Sequence, residues 1–199
     1  MKKIAVVLAG CGVFDGAEIH EAVLTLLAIN KSGAEYSIFA PDKEQHHVVN
    51  HLTLKESVDK RNVLVEAARI ARGKIRPLKD FIAKDFDALI FPGGFGVAKN
   101  LCTFAFDGVE HKVDPEVEQT IKIMISENKP IGAMCISPVI LAKVIGNHIK
   151  LTIGNDTSTA SAISKMNSDH QITNHGEIVI DKQFKVVTTP CYMLYQSEI

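Results

Sequence analysis

A single cysteine stands where an apolar run turns into a helix. The stretch PIGAMCISP places Cys135 between a predicted strand, 130–134, and a predicted helix, 136–145. In open parallel sheets, ligands bind beyond the carboxyl ends of the strands. Unpaired N–H groups and the dipole at a helix start favour a thiolate, so we expect a lowered pKa for Cys135. The pattern indicates a nucleophile elbow, and a buried structural cysteine is the alternative.

A glycine-rich turn follows another predicted strand, 86–91, and reads PGGFG over residues 92–96. Paired glycines let backbone N–H groups approach a reacting oxygen closely, as an oxyanion hole requires. A plain tight turn between strand and helix is the alternative. The turn is neither a phosphate-binding GK[ST] loop nor a GxGxxG fingerprint.

Two glutamates stand near the start of the first predicted helix. Glu18 and Glu21 are one turn apart, so they share a helix face. A carboxylate beside a reactive thiol shuttles protons if burial raises its pKa. The alternative is that acidic residues simply suit a helix N-terminus.

The elements that must position these residues alternate along the chain. Apolar runs predict strands at 2–9, 35–40, 86–91 and 130–134, and helical spacing predicts helices at 17–32, 61–72, 114–128 and 136–145. Weaker patterns predict a strand at 150–153, a helix at 157–166 and a hairpin of 177–180 with 185–189, while 43–60 has no clear pattern. The alternation predicts an α/β sandwich with a mostly parallel sheet, and a chain of 199 residues suits one domain.

Composition narrows the function classes. With 22 basic and 23 acidic residues and no long basic run, we expect no nucleic-acid partner. No apolar stretch is long enough for a membrane span, and the run 4–9 is too short for a signal peptide. The four cysteines are widely spaced, so we expect neither a metal site nor a disulfide framework, and a cytoplasmic location.

The combination of motifs resembles the ElbB subfamily of the PfpI superfamily, which is related to class I glutamine amidotransferases. The motifs are GCGVFDGAEIHEAVLTLLAI, FAPDK, RNVLVEAARIARG, LIFPGGFGVAKNL, MCISP and LTIGND. The resemblance implies a flavodoxin-like three-layer sandwich, a homodimer and a glyoxalase that needs neither glutathione nor another cofactor.

The resemblance also assigns roles to single residues. It implies that Cys135 is the nucleophile and Glu21, twelve residues before the Gly that ends the first helix, its carboxylate partner. Gly93 and Gly94 correspond to the oxyanion donors, and we place Ile136 and Glu18 beside the substrate. The expected substrate is a small dicarbonyl such as glyoxal, and the expected enzyme is a lyase of the hydro-lyase class that converts glyoxal to glycolate.

Departures from related families narrow this expectation. Ile136 stands where peptidases of the superfamily have His, and the elbow does not have the Gly-x-Cys-x-Gly pattern of amidotransferases, so we expect neither proteolysis nor glutamine hydrolysis. Members of the subfamily continue into a last helix, whereas this sequence stops at Ile199, so we expect an exposed sheet face.

Some assignments stay open. A reactive cysteine equally suits a redox-sensing or stress-related binding protein, linked by the subfamily name to isoprenoid metabolism. His20 is expected to be a solvated helix residue. Cys11 and Cys191 are either structural or close to the same pocket.

Overall fold

A computed structural model describes residues 1–194 of the chain. Its strands are β1 Lys3–Val7, β2 Glu35–Ala40, β3 Val49–Asn50, β4 Lys55–Glu56, β5 Ile75–Pro77, β6 Ala88–Phe91, β7 Ile131–Met134, β8 Ile149–Leu151, β9 Ser168–His170, β10 Val179–Asp181 and β11 Val186–Thr189. Its α-helices are α1 Ile19–Lys31, α2 Val63–Ile70, α3 Phe104–Asp107, α4 Pro115–Ser126, α5 Pro138–Ile145 and α6 Thr157–Lys165. Residues 195–199, where the sequence predicted an end without a last helix, lie outside this description.

The central sheet has seven strands in the order β10-β11-β7-β6-β1-β2-β5. All neighbours are parallel except β10 and β11, which form the predicted antiparallel hairpin. The carboxyl ends of β1, β6, β7 and β11 therefore meet at one edge of the sheet. The three loops singled out in the sequence all start at this edge.

Side chains alternate between two cores, one on each face of the sheet. In β1 and the residue after it, Ala5 and Val7 belong to the core beneath α4 and α5, while Val6 and Leu8 belong to the core beneath α1 and α2. Because both faces are covered here, the central strands read as continuous apolar runs. The predicted α/β three-layer, flavodoxin-like fold is confirmed.

Part of one sheet face is left bare. Ile180 of β10 and Val187 of β11 are exposed, as is Ile178 just before β10. The outer side of α1 is also apolar and exposed at Val23, Leu24 and Leu27.

Two strands and one hairpin were not predicted. β5 has three residues and ends in Pro77, and β9 reads SDH, so neither offers an apolar run. The unassigned segment 43–60 contains the small hairpin of β3 and β4. Each of these strands is only two or three residues long, too short to show a period in the sequence.

Truncating Phe39 to Ala is expected to lower the free energy of unfolding by about 3–5 kcal/mol. Phe39 is fully buried in β2, and its ring lies 5.5 Å from the rings of both Phe81 and Phe86. Urea unfolding followed by circular dichroism measures the effect. Leu52→Ala serves as the control, because Leu52 is 92% exposed and its truncation leaves no cavity. A Phe39→Ala effect no larger than that of the control would contradict the packing.

Candidate active site

The elbow lies between β7 and α5. Cys135 has φ 58°, in the left-handed region that is strained for a residue with a Cβ. Its N–H donates to Thr189 O at 3.0 Å, and the Ser137 hydroxyl donates to Pro92 O at 2.7 Å. Pro138 then begins α5, two residues later than predicted. These contacts fix a sharp turn that holds the cysteine at the sheet edge.

The Glu21 carboxylate reaches this turn from the first turn of α1. Its Oε2 accepts the Gly93 N–H at 2.8 Å, and its Oε1 accepts the Tyr192 N–H at 3.2 Å. The Cys135 thiol also donates to it. Glu21 is only 4% exposed, and this burial raises its pKa to about 7. The negative charge of Glu18 raises it further.

The pKa of Cys135 is raised, so the prediction of a lowered value is wrong. Burial is the main cause, because the residue is 8% exposed and a thiolate there has lost its water. The adjacent Glu21 charge adds to the effect, and hydrogen bonds from the N–H groups of Gly94 and Ile136 oppose it only in part. Protonation of the Glu21 carboxyl removes one of the two causes that disfavour a thiolate at Cys135, and burial remains as the other.

Gly93 separates the cysteine from the glutamate. A Cβ built on it would overlap the Cβ of Cys135 and lie 2.5 Å from Glu21 Oε2. Only glycine fits this position. The Gly93 N–H donates to Glu21, so it does not face the sulfur. The N–H groups that face the sulfur belong to Gly94 and Ile136, whereas the sequence had suggested Gly93 and Gly94.

Glu18 acts locally as a helix cap. Its Oε2 accepts the Glu21 N–H at 2.6 Å, which satisfies one of the unpaired donors at the start of α1. The Glu18 N–H in turn donates to Gly93 O at 2.9 Å, so the two loops are joined at the sheet edge. Glu18 thus lies beside the site, and its side chain contacts the backbone of Glu21.

Tyr192 is a site residue that the sequence did not reveal. It lies in a single 3₁₀ turn, Cys191–Met193, directly after β11, and it contributes a backbone N–H, which has no sequence signature. Its hydroxyl is 3.2 Å from His20 Nδ1, and Glu18 Oε1 is 3.7 Å from the same nitrogen. His20 is therefore half-exposed but has two neighbours at the site, rather than being only a solvated helix residue.

Cys11 and Cys191, the two cysteines that the sequence left open, lie in different surroundings. Cys191 is beside the site: burial raises its pKa to about 11, and the charges of Glu21 and Glu18 also raise it. Cys11 instead lies near the ion-paired group of Glu66, Arg61 and Arg69. Of the two cysteines left open by the sequence, the structure brings Cys191 close to the Glu21 carboxylate.

Two further observations concern the part of the chain that the structure describes. Within residues 1–194, no three His, Cys, Asp or Glu side chains are grouped so that they could hold a metal ion. No helix in the same range has the length and apolar character needed to cross a membrane.

A flavodoxin-like sandwich with a left-handed cysteine at a strand-to-helix elbow defines the class of protein. The chain belongs to the DJ-1/PfpI family, whose model matches residues 2–191.

Similar proteins match nearly the whole chain, and some of them carry amidotransferase-like names. The human mitochondrial glutamine amidotransferase-like class 1 domain-containing protein 3 is 47% identical over 201 residues, which are 96% of this chain and 75% of that protein. The zebrafish mitochondrial ES1 protein is 35% identical over 96% of this chain and 76% of its own. The crystal structure of an Ehrlichia chaffeensis isoprenoid biosynthesis protein with an amidotransferase-like domain is 36% identical, covers 98% of this chain and 90% of that one, and superimposes with a TM-score of 0.90.

Proposed function

We propose that this protein is a glutathione-independent glyoxalase of the ElbB type, converting glyoxal and similar small dicarbonyls to hydroxy acids. The observation that carries the proposal is the buried Glu21 carboxyl, which contacts the Cys135 thiol and has a pKa raised to about 7. A pKa near neutrality suits a group that must accept and return a proton in one cycle.

The first step joins the sulfur to the substrate. Glu21 takes the proton of the Cys135 thiol, and the sulfur attacks one aldehyde carbon of glyoxal, forming a C–S bond and an oxyanion. The N–H groups of Gly94 and Ile136 lie beside the sulfur, where they can donate to that oxygen. The proton returned to the oxygen gives a hemithioacetal.

The second step moves hydrogen between the two carbons. Glu21 removes the proton from the sulfur-bearing carbon while the neighbouring aldehyde oxygen takes up a proton, which gives an enediol. Glu21 then delivers a proton to the neighbouring carbon, and the hydroxyl on the sulfur-bearing carbon loses its proton to become the thioester carbonyl. The product is a glycolyl thioester. Water hydrolyses this thioester to glycolate and restores the thiol, so the sum is glyoxal plus water to glycolate, with no external oxidant or reductant.

The oligomeric state and the cellular location are part of the same proposal. The exposed apolar side of α1, at Val23, Leu24 and Leu27, is a surface on which a homodimer could form. A cytoplasmic location stays a prediction, since the human and zebrafish relatives are mitochondrial by name.

Glyoxal incubated with the pure protein, without glutathione, is expected to yield glycolate detectable by NMR. In D₂O the glycolate should carry deuterium at its CH₂ carbon, because the proton passes through an exchanging carboxyl. Cys135→Ala should give no product above background. A folded wild-type protein that makes no glycolate, or a Cys135→Ala variant as fast as wild type, would overturn the proposal.

The rival function is a redox-sensing protein, and one observation favours it. A second thiol, Cys191, lies beside the same carboxylate, which a hydrolytic cycle does not require. A link to isoprenoid metabolism is suggested only by the name of the Ehrlichia protein. Absent glycolate together with reversible peroxide oxidation of Cys135 would favour this rival.

A further inference from the structure

We propose that Cys135 and Cys191 form a reversible intramolecular disulfide when a peroxide oxidises Cys135, with Cys191 as the resolving thiol. The juxtaposition of the two cysteines at the ends of adjacent parallel strands carries this inference. It requires an oxidisable thiol at Cys135 and does not depend on glyoxal turnover.

Strand register brings the two cysteines to the same place. β7 and β11 are parallel neighbours, with Met134 opposite Thr189. The pairing continues one step further, because the Cys135 N–H donates to Thr189 O at 3.0 Å. Neighbouring strands are about 4.8 Å apart, and a disulfide needs Cα atoms about 4.4–6.8 Å apart. Cys191 lies two residues beyond this hydrogen bond, in the turn that follows β11, so a movement of that turn would bring it to the disulfide distance.

The Glu21 carboxylate is a common neighbour of the two thiols. It accepts a hydrogen bond from the Cys135 thiol and another from the N–H of Tyr192, the residue next to Cys191. Its charge also raises the pKa of both thiols. Both thiols thus lie near one carboxylate, although the hydrogen bond of the Cys191 thiol is to the Thr189 side chain.

The turn that carries Cys191 is short and half-exposed. It is a single 3₁₀ turn, held by hydrogen bonds from Met193 N to Pro190 O and from Leu194 N to Cys191 O. Residues 191–194 are all only partly buried. Cys135, by contrast, is fixed by the elbow, so closure requires movement of the Cys191 turn alone.

The chemistry balances with a peroxide as oxidant. The Cys135 sulfur attacks one peroxide oxygen, an S–O bond forms, the O–O bond breaks, and water leaves, giving a sulfenic acid. The Cys191 sulfur then attacks the Cys135 sulfur, an S–S bond forms, the S–O bond breaks and a second water leaves. Two thiols lose two electrons and one hydrogen peroxide becomes two waters.

Peptide mapping tests the link directly. Wild-type protein treated with a small excess of hydrogen peroxide, alkylated and digested without reduction should yield tryptic peptide 123–143 joined to 186–199, each with one cysteine. Dithiothreitol should then restore alkylation of Cys135. In Cys191→Ser the link is absent, and Cys135 should advance to sulfinic acid, which dithiothreitol does not reverse.

Cys11→Ser is the matched control. Cys11 is also half-exposed and follows a strand, but it lies near Glu66, Arg61 and Arg69, away from the site. This variant should behave as wild type does. Wild-type protein that forms no joined peptide, and whose Cys135 becomes sulfinic acid as readily as in Cys191→Ser, would overturn the inference.

Discussion

Glu21→Gln is expected to slow glyoxal turnover by about 10²–10⁴-fold while making Cys135 more reactive toward iodoacetamide above pH 7. Turnover falls because an amide cannot carry the proton between thiol, oxygen and carbon. Alkylation rises because the variant removes the carboxylate charge that opposes a thiolate. A residue that only stabilised the fold would not move these two rates in opposite directions.

The dependence of the alkylation rate on pH distinguishes the variant from wild type. Below about pH 7 the Glu21 carboxyl is protonated, and both proteins should gain about tenfold in rate per pH unit. Above that pH, wild type should level off, since its ionised carboxylate now raises the pKa of Cys135. The variant should keep rising. Glu118→Gln, on the exposed side of α4, is the control and should follow wild type. Parallel curves for Glu21→Gln and wild type would contradict the coupling.

Stability should follow the same group. The pKa of Glu21 rises from an ordinary 4.5 to about 7 on folding, so the folded state holds this proton more tightly than the unfolded state. The contribution of this proton to the free energy of unfolding is fully present below pH 4.5 and is lost as pH rises through about 7. The difference amounts to about 3 kcal/mol. Unfolding curves of Glu21→Gln should lack this component of the pH dependence.

Gly93→Ala is expected to reduce turnover by about 100-fold or more, because small displacements of reacting groups have large effects on rate. The new methyl group would overlap the Cβ of Cys135 and press on Glu21 Oε2, so the thiol and carboxyl must move apart. Overpacking at a buried position also lowers stability by about 1–3 kcal/mol. Steady-state kinetics and urea unfolding on the same preparation measure both effects.

Gly132→Ala provides the comparison. Gly132 is in β7, three residues before Cys135, and a Cβ there would be 3.4 Å from the nearest side-chain atom, Ile90 Cγ1. This variant should keep turnover within about threefold of wild type, since its added methyl is accommodated without overlap. Equal losses in Gly93→Ala and Gly132→Ala would mean that the close contact at Gly93 has no special role.

Much of the fold could be predicted from the sequence because the central strands are buried on both faces. Runs such as 86–91 and 130–134 are apolar throughout, and the turn residues after them mark the sheet edge at which a site forms. For the same reason Cys135, the glycine turn and the start of the first helix were expected at one edge of the sheet, whereas the choice of Glu21 over Glu18 came from the family resemblance. Their proximity follows from topology and needs no knowledge of side-chain contacts.

The pKa shifts and backbone hydrogen bonds of the site could not be predicted from the sequence. The start of α5 suggested a lowered pKa for Cys135, but the extent of burial and the placement of the Glu21 charge reverse the direction. The partner of the Gly93 N–H, and the N–H that Tyr192 contributes, are backbone features that any residue type could supply. Such contacts depend on three-dimensional positions that residue identity does not encode.

The hydrogen bond between Cys135 and Thr189 joins two parts of the sheet that differ in how well they are packed. β7 belongs to the well-packed middle, whereas β11 has only the three-residue β10 beyond it, and one face of this hairpin is bare. Proteins open piecemeal, and segments with few buried contacts open first. Fraying of the β10–β11 hairpin would withdraw Thr189 O and the Tyr192 N–H in one event while the core under α4 and α5 stays intact. We therefore expect the proposed activity to be lost on warming before the protein melts, while the helical circular dichroism signal is still complete.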